Sequence, residues 1–347
     1  MTTMAMVASL AGVSISTVSH VLNGTRHVEP ETREKVLKAI EATSYRQDAV
    51  ARAMRRSQTD SVGLIVSDAG EPAFAEMVHG VEHAVARLGL TLLLANSAED
   101  PDREAQAVEA LLERRVDGLI LARAAGSRQD VVDGIQGEGT PLVLMDRLCG
   151  MRVDQVGVEN RLPTIELVKH LVDQGHQRFV FVAGDCRVPT LRERRDAFVE
   201  AMAQLNLDAS AQTIIADVPA FDVIDGQLEQ ALDAGPRPTA LIACSTVLAA
   251  RALKIVQNRN LQLPTDIAFA TFDGFAYSDL FTPQLTTVRQ PAFEVGVAAA
   301  ELLAHRLADK ARGSSPVRLA PTTTRLSPTI EYRSSSGTTV RMTPSNF

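Results

Sequence analysis

The chain opens on two short runs in which apolar residues return at helical spacing. Met4, Val7, Ala8 and Ala11 form one narrow face, and Val18, Val21 and Leu22 form the next, as two amphipathic helices require. Between them sits Ala11-Gly12-Val13. Gly12 can take the left-handed conformation of a sharp turn, and Ser14 is a good N-cap for the second helix. The pattern predicts a helix-turn-helix. From these residues alone, a plain helical hairpin packed on a larger domain is an equal reading. A third helix starts at Pro30 and carries Val36, Leu37 and Ile40 on its apolar face, with Glu29 as a poor cap. Residues 45–57 predict a fourth, nine-residue helix. Asp48 can cap it, and Arg52, Arg55 and Arg56 flank a small apolar face ending at Met54. So short a helix is marginal in water and orders only against a partner, the alternative being a basic linker.

From Ser61 onward the period changes. Apolar runs at 62–66, 91–95, 118–122, 142–145, 179–183, 213–215, 240–243 and 267–272 alternate with amphipathic segments at 74–88, 103–114, 129–136, 164–174, 191–205, 225–234 and 247–258. Such alternation predicts parallel sheets with helices on both faces. Its length exceeds one sheet's core, so two lobes are expected, with a crossing near Asn160. The fold class is therefore a small all-α helix-turn-helix head on a two-lobed α/β body. Ligands of open parallel sheets sit beyond the carboxyl ends of the strands. The polar residues closing the apolar runs are Asp68, Arg123, Asp146-Arg147, Ser245-Thr246 and Asp273. Each alone reads as a solvated loop charge; their shared position at strand ends makes them a candidate cleft.

Composition adds limits. Residues 1–60 hold eight Lys/Arg against six Asp/Glu, whereas the remainder holds 27 against 36 and the whole chain is at −7. A weakly basic head on an acidic body suits nucleic-acid contact confined to one end. Cys149, Cys186 and Cys244 lack CxxC spacing, which predicts free buried thiols, with neither disulfide nor zinc. No basic-then-apolar leader precedes the first helix, and the expected location is cytoplasmic. The chain lacks G-x-G-x-x-G, G-x-x-x-x-G-K-[ST] and G-x-S-x-G, and its seven histidines show no metal-ligand spacing. Neither catalysis nor a cofactor is expected. His176 precedes a strand and reads as structural.

Specific runs go further. Val7-Ala8, Leu10-Ala11-Gly12-Val13-Ser14, Ser16-Thr17-Val18-Ser19, Val21-Leu22-Asn23-Gly24 and Pro30-Glu31-Thr32-Arg33 resemble the LacI/GalR family of bacterial transcription regulators, and further matches continue along nearly the whole chain. The resemblance implies a homodimeric regulator, read as a repressor, on a roughly palindromic operator. Operator affinity would be controlled by a small sugar-like effector held between the lobes. The implied DNA-contacting residues are Ile15, Ser16, Thr17, His20, Asn23, Arg52, Met54 and Arg55, with Met54 a minor-groove wedge on a hinge helix that folds when two copies pair. His20 stands where an arginine is common, and Gln47 and Met54 replace the family's usual Pro and Leu.

For the effector, the resemblance implies Phe74, Asp146, Arg194, Phe221 and Asp273, which join Arg123, Arg147 and Ser245 from the strand ends. Ser245-Thr246 stands where many members carry Asn-Asp. The three arginines lean towards an anionic ligand, a sugar phosphate or sugar acid. The implied domains are a head at 1–45, hinge and linker at 46–60, a first lobe at 61–160 plus about 289–320, a second at 161–288 plus about 321–335, and a loose tail at 336–347. The alternative is a cytoplasmic sugar-binding protein with a non-functional head.

Overall fold

The computed structural model describes residues 2–24, 26–45, 58–275, 280–312 and 320–337. They form two compact units divided after Thr59. Arg52, Met54 and Arg55, together with Gln47, lie outside the described residues.

The first unit holds helices α1 (Met4–Ala11), α2 (Ile15–Asn23) and α3 (Pro30–Thr43). Gly12 has φ +68°, and its N–H donates back to Ala8 and Ser9, so the first helix ends where only glycine turns cheaply. Ser14 Oγ accepts from the Thr17 N–H at 3.1 Å and starts the second. The chain bends by 102° between them. Val7, Ala8, Val18, Val36 and Ala39 form the buried centre. Leu37, expected there, is 49% exposed, and Ala39 takes its place. At 100° per residue, 36, 39 and 40 share a face that 37 leaves. Glu29 makes no side-chain cap bond, and Pro30 supplies the start.

The second unit contains β1 (Ser61–Val66), α4 (Pro72–Arg87), β2 (Thr91–Asn96), α5 (Pro101–Glu113), β3 (Gly118–Leu121), α6 (Gln129–Gly137), β4 (Leu142–Asp146) and β5 (Asp154–Val158). Then come α7 (Arg161–Asp173), β6 (Phe179–Gly184), α8 (Pro189–Gln204), β7 (Thr213–Ala216), α9 (Phe221–Asp233), β8 (Ala240–Ala243), α10 (Thr246–Asn258) and β9 (Ala268–Phe272). The chain closes with β10 (Thr286–Arg289), α11 (Ala292–Ala311), β11 (Thr323–Leu326) and β12 (Thr329–Glu331).

Among the described residues two six-stranded sheets result, ordered β11-β5-β4-β3-β1-β2 and β12-β10-β9-β8-β6-β7. Every pairing is parallel except β10 with β12. Val62, Leu64 and Val66 enter one core of the first sheet while Ile65 enters the other. A strand covered on both faces needs apolar side chains at every position, which is why these runs are continuous.

Strand β5 escaped the sequence reading because Asp154 and Gln155 interrupt its apolar run. Both are buried, Asp154 against Arg306 at 2.7 Å and Gln155 against the backbone of Cys149 at 2.8 and 2.9 Å. The lobe limits also shift. Arg289 still belongs to the second sheet, and residues 323–326 pair with β5 rather than joining the second lobe, which is regained only at Thr329. Ser336, expected in a loose tail, is buried, and Ser335 Oγ donates to the Phe269 carbonyl at 2.6 Å. Residues 338–347 lie outside the described residues. Helix α11 crosses α4 so closely that a Cβ on Gly80 would lie 2.1 Å from the Phe293 carbonyl oxygen.

Candidate DNA-binding and effector sites

On the head, Ile15 is 52% exposed at the start of α2 and Ser16 is also exposed, while Thr17 and His20 are half-buried. The Ser16 and Thr17 hydroxyls lie 2.7 and 2.8 Å from Ser14 Oγ. The cap therefore holds the first turn, and its hydroxyls share one cluster. Met6 and Leu10, on the outer face of α1, are 54% and 59% exposed.

In the body, both sheets reverse their strand order between the first and third strands, β1/β3 and β6/β8. That is where an open parallel sheet leaves a crevice. A cavity of about 320 Å³ lies there, lined from both lobes and at the small end of the ~300–1,000 Å³ range of ligand pockets. Phe74, Asp146, Arg147, Arg194, Phe221, Ser245 and Asp273 all line it. Arg123 does not. Its guanidinium donates to Ser127 Oγ at 3.1 Å and to the Ser127 carbonyl at 2.7 Å, while its own carbonyl accepts from Arg147 Nη1 at 2.6 Å. It braces the loop that runs on to Ser127.

Asp146 and Asp273 end β4 and β9 with φ +69° and +68°. This left-handed conformation is uncommon for a side-chain-bearing residue and recurs where function places a group. Asp146 is 8% exposed, and its nearest cation is Arg147 Nε at 3.7 Å. Burial pushes its carboxyl up to about 6, Arg147 and Arg194 opposing. Asp273 accepts from Gln290 Nε2 at 2.7 Å and from Arg194 Nη1 at 3.5 Å; burial raises its pKa against that pull. Arg194 is 4% exposed. It donates Nε to Asn160 at 2.8 Å and Nη1 to the Cys244 carbonyl at 2.6 Å, and lies 4.2 Å from the Phe272 ring centre.

Several cleft residues were not foreseen. Glu99 pairs with Arg147 through both carboxylate oxygens. Burial pushes the Glu99 carboxyl up, but Arg147 and the Ala125 N–H outweigh it and hold it below the usual range. Asp185 binds Arg187, closest at 2.7 Å. Glu71 is pushed up to about 7 by burial and then by Asp273 and Asp68. Asp185 closes β6 and was open to the same strand-end argument; Gln290 follows β10, which was not recognised. The arginines that suggested an anionic ligand are thus already engaged within the protein. Ser245 Oγ accepts from the Leu248 N–H at 3.3 Å as the cap of α10, which leaves its hydroxyl hydrogen for a ligand. His176 is 1% exposed and sits at the opposite, amino end of β6.

Acidification from pH 8 to 5.5 is expected to draw stability from Glu71 and Asp146, against an opposing loss at His170 and His176, whose imidazoles burial holds below their usual range. Glu71 and Asp146 bind protons more tightly folded than unfolded. Their contribution is therefore full below the ordinary carboxylate range and is lost as pH rises through about 6 and 7. Melting curves of wild type and of Glu71→Gln/Asp146→Asn across that range test this. An equal slope in both would remove these carboxyls as its source.

Residues 3–48 match the family model of bacterial regulatory proteins of the lacI family, and residues 168–336 match that of the periplasmic binding protein-like domain. The HTH-type transcriptional repressor PurR of Mannheimia succiniciproducens is 32% identical over 325 residues, spanning 92% of this chain and 96% of that protein. The chain belongs to the LacI family. Among solved structures, a lac repressor dimer bound to operator and an anti-inducer superposes with TM-score 0.82 at 23% identity over 97% of this chain and 99% of that one; this likeness speaks to fold. The transcriptional regulator CelR in complex with cellobiose has TM-score 0.69 at 26% identity over 96% and 100%. As a LacI-family member the chain is a DNA-binding transcriptional regulator with a ligand-binding body, and its relatives are repressors, not enzymes. No single helix among the described residues is long and apolar enough to cross a membrane.

Proposed function

We propose that two copies of this chain form a symmetric dimer that represses transcription from a roughly palindromic operator. A sugar-like effector held between the lobes gates that binding. The observation that carries the reading is one cavity lined by the strand ends of both lobes, in a chain whose other unit is a capped helix-turn-helix. Ile15, Ser16, Thr17, His20 and Asn23 meet base edges and sugar-phosphate. Arg52, Arg55 and Met54 act from the hinge segment by the family pattern. Cellobiose in the CelR complex supports a sugar-like ligand.

Closure has something to act on. The lobes are tied at the crossings by Asn160, which binds both Arg194 and Glu193, and by the Arg325 to Glu193 pair at 2.7 Å. A ligand drawing Asp146 towards Asp273 rotates the lobes about these ties and resets the hinges of a dimer, provided it binds one state better than the other. Fluorescence anisotropy against the protein's own upstream DNA tests this at two salt concentrations, with and without a panel of sugars and their derivatives. The expected result is tight, salt-sensitive binding that one compound shifts. Compound binding without any specific DNA binding would favour a sugar-binding protein with an inactive head.

A further inference from the structure

The cleft is not electrically neutral. Asp68, Glu71, Glu99, Asp146, Asp185 and Asp273 line it, against Arg147, Arg187 and Arg194. Pairing by contact matches Glu99 with Arg147, Asp185 with Arg187 and Asp273 with Arg194, and Asp146 shares Arg147 at a longer 3.7 Å. What remains is acidic. Asp68 has one oxygen occupied by the Gly70 N–H at 2.9 Å, and the side chains of Glu71 and Asp146 accept no hydrogen bond among the described residues.

A second, independent group makes the same demand. Gln290 is 8% exposed and lines the cavity, and its Oε1 has no hydrogen-bond partner among the described residues. The orientation of its amide follows from chemistry, since Nε2 donates to Asp273 and Oε1 must therefore be the acceptor. Buried acceptors without donors cost free energy, and a buried carboxylate costs more than an amide. An occupant relieves them only by donating hydrogen bonds, and relieves the charge only by being positive.

A gradient runs across the second sheet. Asp273 and Gln290 close β9 and β10, whereas Val218, Phe221 and Ile224 follow β7 at the other edge. Phe74 adds an aromatic face from the first lobe. The occupant thus needs donors at one end and a carbon skeleton at the other.

We infer that the effector is a small polyhydroxy amine, with a protonated amino group seated between Asp146, Glu71 and Asp273 and its hydroxyls directed at Gln290 and Ser245. This deepens the proposed function and rests on it. An anionic sugar would meet three more carboxylates than guanidinium groups, each of those guanidinium groups already in contact with a carboxylate, with only the buried Arg147 Nε left without a hydrogen bond among the described residues. The charged groups facing the amino group from the first lobe are Asp68, Glu71, Glu99, Asp146 and Arg147. From the second lobe they are Asp185, Arg187, Arg194 and Asp273. Protons on Glu71 and Asp146 compete with the amine, so its affinity rises with pH from 5.5 to 7.

The test is calorimetry on the full-length protein at pH 7 with matched sets: hexosamines and amino alditols against their neutral parents, 6-phosphates and sugar acids. In the set that binds, the amine is expected to bind about tenfold or more tightly than its neutral parent. It should release protons on binding and lose most of that advantage at pH 5.5 or in Asp146→Asn. A neutral or anionic member binding as well as the amine overturns this inference and leaves the effector reading standing. So does an amine preference unchanged in Asp146→Asn. No binding by any set, with operator binding intact, overturns both.

Discussion

Arg194→Ala is expected to cost about 3–5 kcal/mol of body stability and to abolish any effector response, the range for removing one partner of a buried ion pair. The side chain is 4% exposed, and three groups depend on it at once. Asn160 Oδ1 and the Cys244 carbonyl lose their donors, and Asp273 keeps only the Gln290 amide. Burial already raises the Asp273 pKa with Arg194 present; without it the carboxyl takes a proton at higher pH still, and the loss is partly masked in acid. Arg194→Lys keeps the charge but not the planar reach to two acceptors, so it should rescue only in part. Urea unfolding at pH 7.5 and 5.5, run beside operator titrations, measures both. A loss under about 1 kcal/mol would show that the guanidinium is not the buried strut described here.

The second large effect is expected where α4 and α11 cross. Helix propensity alone says that Gly296→Ala stabilises by about 1 kcal/mol. Contact says the opposite. The new Cβ would lie 2.1 Å from the Met77 carbonyl oxygen and 2.9 Å from the Val81 nitrogen, both backbone atoms on an interior helix face. Relief requires the two helices to separate, and overpacking of this kind costs about 1–3 kcal/mol or more. The net expectation for Gly296→Ala and for Gly80→Ala is destabilisation. Gly134→Ala in α6 is the control, since nothing lies within 4 Å of its added Cβ and only propensity acts. Denaturant midpoints should move in opposite directions for 296 and 134. A shared upward shift would mean that the helices do not approach as described.

How much was legible differs by element. The turn at Gly12, the Ser14 cap and most strands covered on both faces could be read because each rests on local chemistry or on an unbroken apolar run. Strands β5 and β10 could not. Their sequences, DQVGV and TTVR, carry polar residues whose burial becomes tolerable only through partners far along the chain, such as Arg306 for Asp154 and Ser335 for the Thr286 N–H. Gln290 went unseen for the same reason, being attached to a strand that was not recognised.

The candidate cleft divides along the same line. That Asp146, Arg147, Ser245 and Asp273 belong to one site followed from the strand-end rule, because a parallel sheet places every such end on one edge. Arg194 and Phe74, on helices, came only with the family resemblance. Which charges remain free did not follow from either. Arg123, Arg147 and Arg194 looked alike as residue types, and the anionic ligand they suggested assumed that all three faced the solvent of the cleft. Glu99 lies 48 positions from Arg147, and Cys244 lies 50 from Arg194. Charge pairing at such separations is a property of the folded arrangement. The sequence by itself determined the two units, the helix-turn-helix and the order of the layers, because period and capping act within a few residues. Only the tertiary structure decided the sign of the cleft, because burial and ion pairing depend on which distant carboxylate each guanidinium reaches.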